Sequence, residues 1–121
     1  TTGNAADFGY LSEGKHTGGG SSNAVTGFVS DAADYDRVTI ATLGNGVSVA
    51  DLSSARTAFA SMSSKTRAVF AGGYGPSSPY PVTNIIDYQQ FASEGDFMDF
   101  GDLSTNFRNT SGLSNGHGGL G

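Results

Sequence analysis

Apolar and polar residues alternate along this chain in short runs, and each run stops at glycine, serine or proline before reaching helical length. Arg67-Ala68-Val69-Phe70-Ala71 ends at Gly72-Gly73, Asn84-Ile85-Ile86-Asp87-Tyr88 continues to Phe91, and Tyr35-Asp36-Arg37-Val38-Thr39-Ile40 keeps the same two-residue period. Runs of this kind, bounded by turn formers, predict strands. Thr57-Ala58-Phe59-Ala60-Ser61-Met62 predicts another, joined to 67–71 through the four-residue turn Ser63-Ser64-Lys65-Thr66. Only residues 52–62 reach helical length, and their serine and β-branched content favours a strand there as well.

The pattern repeats. Asp99-Phe100-Gly101-Asp102-Leu103-Ser104 has earlier versions in Asp7-Phe8-Gly9-Tyr10-Leu11-Ser12 and Ser48-Val49-Ala50-Asp51-Leu52-Ser53. Leu11 and Leu52 are 41 positions apart and Leu52 and Leu103 are 51 apart, a period that marks a structural repeat. Each version follows a polar, glycine-containing turn: Thr1-Thr2-Gly3-Asn4, Thr42-Leu43-Gly44-Asn45 and Ser93-Glu94-Gly95-Asp96. Within the short strand that follows each turn, Ala6 and Phe8, Val47 and Val49, and Met98 and Phe100 are expected to point inward, with Asp7, Ser48 and Asp99 facing the other way. Residues 74–83 hold all three prolines (Pro76, Pro79, Pro81), so this segment is expected to lie outside the sheet. The corresponding loop of the first copy is about ten residues shorter, which accounts for the change of period. The expected organisation is a single repeat domain over 1–121: repeat 1 over 1–41, repeat 2 over 42–92 and a partial repeat 3 over 93–121. Each repeat is four short strands joined by turns, the unit of a β-propeller blade.

Composition agrees with an all-β reading. The 121 residues include 19 glycines and only 14% charged side chains, yet eight Phe and five Tyr supply apolar anchors that disordered chains lack. A net charge of −5 with six scattered basic residues argues against a nucleic-acid partner, which needs clustered cations. No apolar run is long enough for a helical membrane span, and no signal-peptide pattern opens the sequence. The start at Thr1 reads as a processed chain or an excised fragment. Cysteine is absent, which removes disulfide and thiol chemistry.

The residues 67–73, followed by a loop, Ile85-Ile86-Asp87-Tyr88, Phe100 and Asp102-Leu103, resemble a kelch repeat: a hydrophobic strand ending in a double glycine, a tyrosine-bearing third strand, an aromatic on the fourth and an Asp-Leu corner. Leu52-Ser53-Ser54-Ala55-Arg56 matches the stretch of that family between an apolar corner and an arginine. The first copy departs from the pattern, with Val29-Ser30 in place of the double glycine. The Thr-Gly-Asn…Asp-Phe-Gly-Asp-Leu-Ser wording is also similar to repeats in structural proteins of cyanobacterial phages. The resemblance implies kelch-like four-stranded repeats, about two full ones plus a partial third. It also implies a virion appendage, fibre or decoration component, placed on a virion or outside cells. Because a closed propeller takes about four to eight blades, two leave core surface open, and assembly with copies of the chain or with other structural proteins is expected unless the chain is a piece of a longer one.

Candidate chemistry is sparse. Asp-Phe-Gly occurs at Asp7 and Asp99, but the lysine, catalytic loop and nucleotide loop of a kinase are missing, so both read as repeat corners. Gly72-Gly73-Tyr74-Gly75 and Gly116-His117-Gly118-Gly119 lack the Gly-Lys-Ser/Thr of a phosphate loop. His16 and His117 are expected in exposed turns, without the ligand set of a metal site. Asp31, Asp34, Asp36 and Asp96, Asp99, Asp102 raise calcium as the one candidate cofactor, although no calcium loop is written and corner aspartates more often cap backbone N–H groups. No catalytic residue is assigned and an enzyme is not expected. Tyr74, Tyr88 and Phe91 flank or follow the proline loop with Tyr80. Tyr74, Tyr80 and Asn84 form the candidate contact loop for a glycan or a protein partner, with packing of the loop onto the sheet as the plainer role. The expected function is therefore a non-enzymatic structural or protein-interaction module, with a carbohydrate-binding propeller as the alternative.

Overall fold

The alternating runs become eight strands in a computed structural model that describes residues 3–114. They are β1 (Gly19–Ser22), β2 (Thr26–Asp31), β3 (Asp34–Thr39), β4 (Val47–Asp51), β5 (Ala60–Ser63), β6 (Arg67–Ala71), β7 (Ile85–Gln90) and β8 (Met98–Asp102). Every pairing is antiparallel and joins strands consecutive in sequence, giving two four-stranded sheets ordered β1-β2-β3-β4 and β5-β6-β7-β8. No helix occurs among the described residues. The repeats expected over 1–41 and 42–92 are thus out of step with the sheets: each sheet ends on the strand that opens the next repeat.

Local chemistry fixes the turns. Between β1 and β2 the Asn23 side chain accepts from the N–H groups of Val25 and Thr26, and between β5 and β6 the Ser64 hydroxyl accepts from those of Thr66 and Arg67. After β6, Gly72 and Gly73 take φ of 71° and 101°, and a Cβ on either would meet the carbonyl oxygens of Phe107 (2.7 Å) or Thr57 (2.6 Å). Only glycine fits both the angle and the space. In the first copy the register Ser30↔Tyr35, matched by Ala71↔Ile86, shows that Asp31 and Ala32 occupy the double-glycine position, two residues beyond the expected Val29-Ser30.

Two expectations are corrected. The strand foreseen from Thr57 begins only at Ala60, because Ala58 takes a left-handed φ of 54° and Thr57 forms an isolated bridge with Tyr74. The residues expected inside β4 and β8 also face out: Met98 and Phe100 are 50% and 59% exposed, and Ala6, Phe8 and Val47 are exposed too, while Val49 is half-buried against the core. Bulges at Tyr35/Asp36 and Ile86/Asp87 shift the register of these outer strands, and the core residue of β4 is Ala50 while Phe97 fills that role just before β8.

The core lies between the sheets and is aromatic. Phe28 stacks on Tyr35 and on Phe91 with ring centroids 5.1 and 4.8 Å apart, and Tyr35 meets Phe70 and Phe97 edge-on. Phe70 in turn stacks on Phe59 and Phe97. Each buried ring contributes about 1.5–3 kcal/mol from burial alone, so this contact dominates the cohesion of the two sheets.

The repeat is also written into the backbone. Ala58 N–H donates to the Thr17 carbonyl (2.8 Å) and Asn109 N–H to the Ala58 carbonyl (2.9 Å). All three residues are left-handed, with φ of 48°, 54° and 54°, at the 41- and 51-residue spacing of the leucines. Gly46 N–H donates to Tyr10, and Phe97 N–H donates to Asp51 at the equivalent place.

Candidate functional site

The Leu-Ser corners position a buried ion pair on the second sheet. Ser53 follows β4, and its hydroxyl donates to both oxygens of Asp87 on β7 at 2.7 Å. Three residues later Arg56 pairs with the same carboxylate through Nη1 at 2.8 Å. Three more of its donors go to backbone carbonyls: Nε to Gly72 (2.9 Å), Nη1 to Ser54 (3.2 Å) and Nη2 to Phe70 (3.4 Å). Both partners are fully buried, and the guanidinium also lies 5.9 Å from the Phe59 ring centroid. With its charges paired and four guanidinium N–H groups engaged, the cluster binds the corner to the sheet.

The preceding repeat holds a looser copy. Ser12 donates to Asp36 on β3 from its N–H (2.7 Å) and its hydroxyl (2.6 Å), as Ser53 does to Asp87. Lys15 stands where Arg56 stands, yet its Nζ remains 3.9 Å from both Asp36 and Asp34 and 3.5 Å from Glu13, without a hydrogen bond. The neighbouring Asp34 pushes the Glu13 carboxyl up from its ordinary value. Of these Ser-x-x-cation corners only 53–56 stood out from sequence, as a kelch-like stretch; its aspartate partner and the Ser12/Lys15 copy did not. Their signal was present in Ser12/Lys15 and Ser53/Arg56 at the repeat spacing, with an aspartate after β-strand alternation at 36 and 87.

The candidate contact loop divides into parts with different roles. Tyr74 bridges to Thr57 and Val82 through its backbone, half-buried, with the Arg108 guanidinium 5.7 Å from its ring centroid. Tyr80 meets Tyr74 edge-on with centroids 6.3 Å apart and keeps half its surface in water. The Asn84 side-chain amide donates to the Leu103 carbonyl at 3.3 Å. The structure therefore brings the two tyrosines together and commits Asn84 to the frame.

His16 is an exposed turn histidine, its Nδ1 2.8 Å from Asp31; His117 and the 116–119 glycine run lie outside the described residues. Of the acidic groups weighed for calcium, four accept backbone N–H bonds: Asp31 from His16, Asp36 from Ser12, Asp96 from Asp51 and Asp99 from Gly101. Among the described residues no group of three or more acidic, histidine or cysteine side chains is arranged to hold a metal ion.

An open apolar surface lies elsewhere. One face of the second sheet packs Ala68, Phe70 and Phe97 against the first sheet. On its other face the registers Met62↔Val69, Val69↔Tyr88 and Tyr88↔Met98 align four apolar side chains across all four strands. Phe100 meets Tyr88 edge-on there and the Arg67 guanidinium lies 6.0 Å from the Tyr88 centroid. A groove of about 520 Å³ runs beside them, lined by Met62, Val69, Phe100 and Leu113. Sequence reasoning missed this face because it assigned Met98 and Phe100 to the interior.

Among known proteins, no family model and no curated protein matches this chain.

Proposed function

We propose that this chain is a non-enzymatic structural module of propeller-blade type, which assembles with copies of itself or with neighbouring structural proteins. The observation that carries this reading is the apolar row Met62, Val69, Tyr88 and Met98 on the open face of the second sheet. The same face of the first sheet, with Phe28 and Tyr35, is buried against the second. An apolar sheet face of this kind is a contact surface, and a stack of blade-like sheets covers each such face with the next. The resemblance to kelch repeats and to phage structural repeats extends the reading to a virion appendage, fibre or decoration, placed on a virion or outside cells. Sedimentation equilibrium tests it: the mean mass of the purified chain rises with concentration. A chain that stays monomeric throughout and turns over a substrate sinks the reading.

The half-exposed Tyr80, braced edge-on by Tyr74, supports a second reading in which this loop stacks on a sugar ring. A glycan array decides it, and signal at background for every glycan removes it.

A further inference from the structure

Resting on that self-assembly reading, we propose that the open face of the second sheet receives the first sheet of a second copy, head to tail, in the same way that the first and second sheets meet within one chain.

The internal contact supplies the template. Its aromatic pair Phe28–Phe91 and its ion pair Arg37–Glu94 bridge the two sheets. Moved on by one repeat, the forward partners become Val69 and Tyr88 of one copy. Moved back by one repeat, the receiving partners become Ile40 and Leu43 of the other. The substitutions agree with each other. Where the internal contact sets a cation on an anion, the external one sets tyrosine on leucine, so no unpaired charge is buried at this position. Ile40 and Leu43 are 46% and 74% exposed within a single chain, which this contact explains.

The seat for the connecting segment is matched as well. Residues 98–114 correspond to residues 6–22 at an offset of 92 positions, and the bends at 104–105 and 109 match those at 12–13 and 17. Gly9 N–H donates to Asp7 as Gly101 N–H donates to Asp99, and Thr17 and Asn109 are both left-handed. Ser104 corresponds to Ser12, the residue that holds Asp36. Residues 98–114 of one copy thus take the place that 6–22 hold on the next, an exchange of equivalent elements between protomers. The contact joins two different patches, so it propagates and closes only as a ring.

The chain has no cysteine of its own, which makes a cross-linking test clean. Full-length Tyr88→Cys and Leu43→Cys variants, with circular dichroism confirming the native sheet signal, are mixed and treated with a short bis-maleimide. The expected result is a product of twice the chain mass from the mixture, lost when either variant is treated alone and reduced by excess unmodified chain. Equal cross-linking of Tyr88→Cys alone means that two open faces meet each other, and the inference falls. Absence of the product at concentrations where sedimentation shows association also overturns it, while self-assembly through another face stands. A chain that never associates removes both.

Discussion

Arg56 and Asp87 form an ion pair sealed from water, while Lys15 and Asp36, at the same positions one repeat earlier, stand 3.9 Å apart. The difference lies in the cation. A guanidinium spreads five donors over a plane and reaches the carboxylate and three carbonyls at once, whereas an ammonium is a compact charge at the end of a flexible stem. Removing one member of a buried pair leaves the other unpaired, at a cost of about 3–5 kcal/mol. Arg56→Met and Asp87→Leu are each expected to lose that much in urea unfolding, and the double variant to recover most of it. Additive losses in the double variant contradict the pairing.

Lys15→Arg is expected to make the first corner resemble the second. The side chain is already 95% enclosed, with three carboxylates within 3.9 Å and no hydrogen bond to any of them. Directed bonds to Asp36 are expected to stabilise the chain by about 1 kcal/mol. An unchanged urea midpoint speaks against it.

Tyr35 gives the fold an alkaline limit. Burial pushes its hydroxyl well above the ordinary value of 10.0, an effect reduced by the bond to Ser21 at 2.9 Å. Below pH 10.0 both folded and unfolded chains keep this proton, and the full stability is present. Above it the unfolded chain releases the proton and the folded chain does not. Stability then falls by about 1.4 kcal/mol per pH unit from this group, until the folded value is reached. Tyr35→Phe removes this slope. A native-state absorbance titration in which all five tyrosines ionise together contradicts the assignment.

Gly73 and Ala58 are expected to respond oppositely to exchange. Gly73→Ala forces a left-handed alanine (φ 101°) against the Thr57 carbonyl and loses more than about 1 kcal/mol. Ala58 is already left-handed at φ 54°, so Ala58→Gly relieves about 1–2 kcal/mol of backbone strain, partly offset by glycine's unfolded-state entropy. Thermal midpoints of the two variants shifting in the same direction disagree with this account.

Strand positions were largely legible in the sequence, because alternation and turn chemistry are local. The run from Arg67 to Ala71 matches β6 residue for residue, and β3 and β7 fall within a residue or two of their expected limits. Facing was less legible. Phe100 and Phe70 have the same chemistry, and only the bulged register of the outer strands decides that one is exposed and the other buried. β1 was missed for a different reason: Gly19-Gly20-Ser21-Ser22 has no apolar member, and its pairing with β2 places it in the sheet. Of the contact loop, the exposure of Tyr80 could be anticipated from its prolines, while the use of Asn84 by Leu103 depends on a segment nineteen residues away.

The strand order also governs how this chain reaches its native state. Since every strand pairs only with its neighbours in sequence, each sheet grows by closing short hairpins, at small entropic cost per step. The first hairpins have short sequence separations, which favours rapid formation for an all-β chain. The aromatic contact between Phe28, Tyr35, Phe91 and Phe97 joins residues far apart in sequence and forms only when both sheets exist. Docking of the two sheets is therefore expected to be the late event in folding, with the rings that hold the finished structure together the last to leave water.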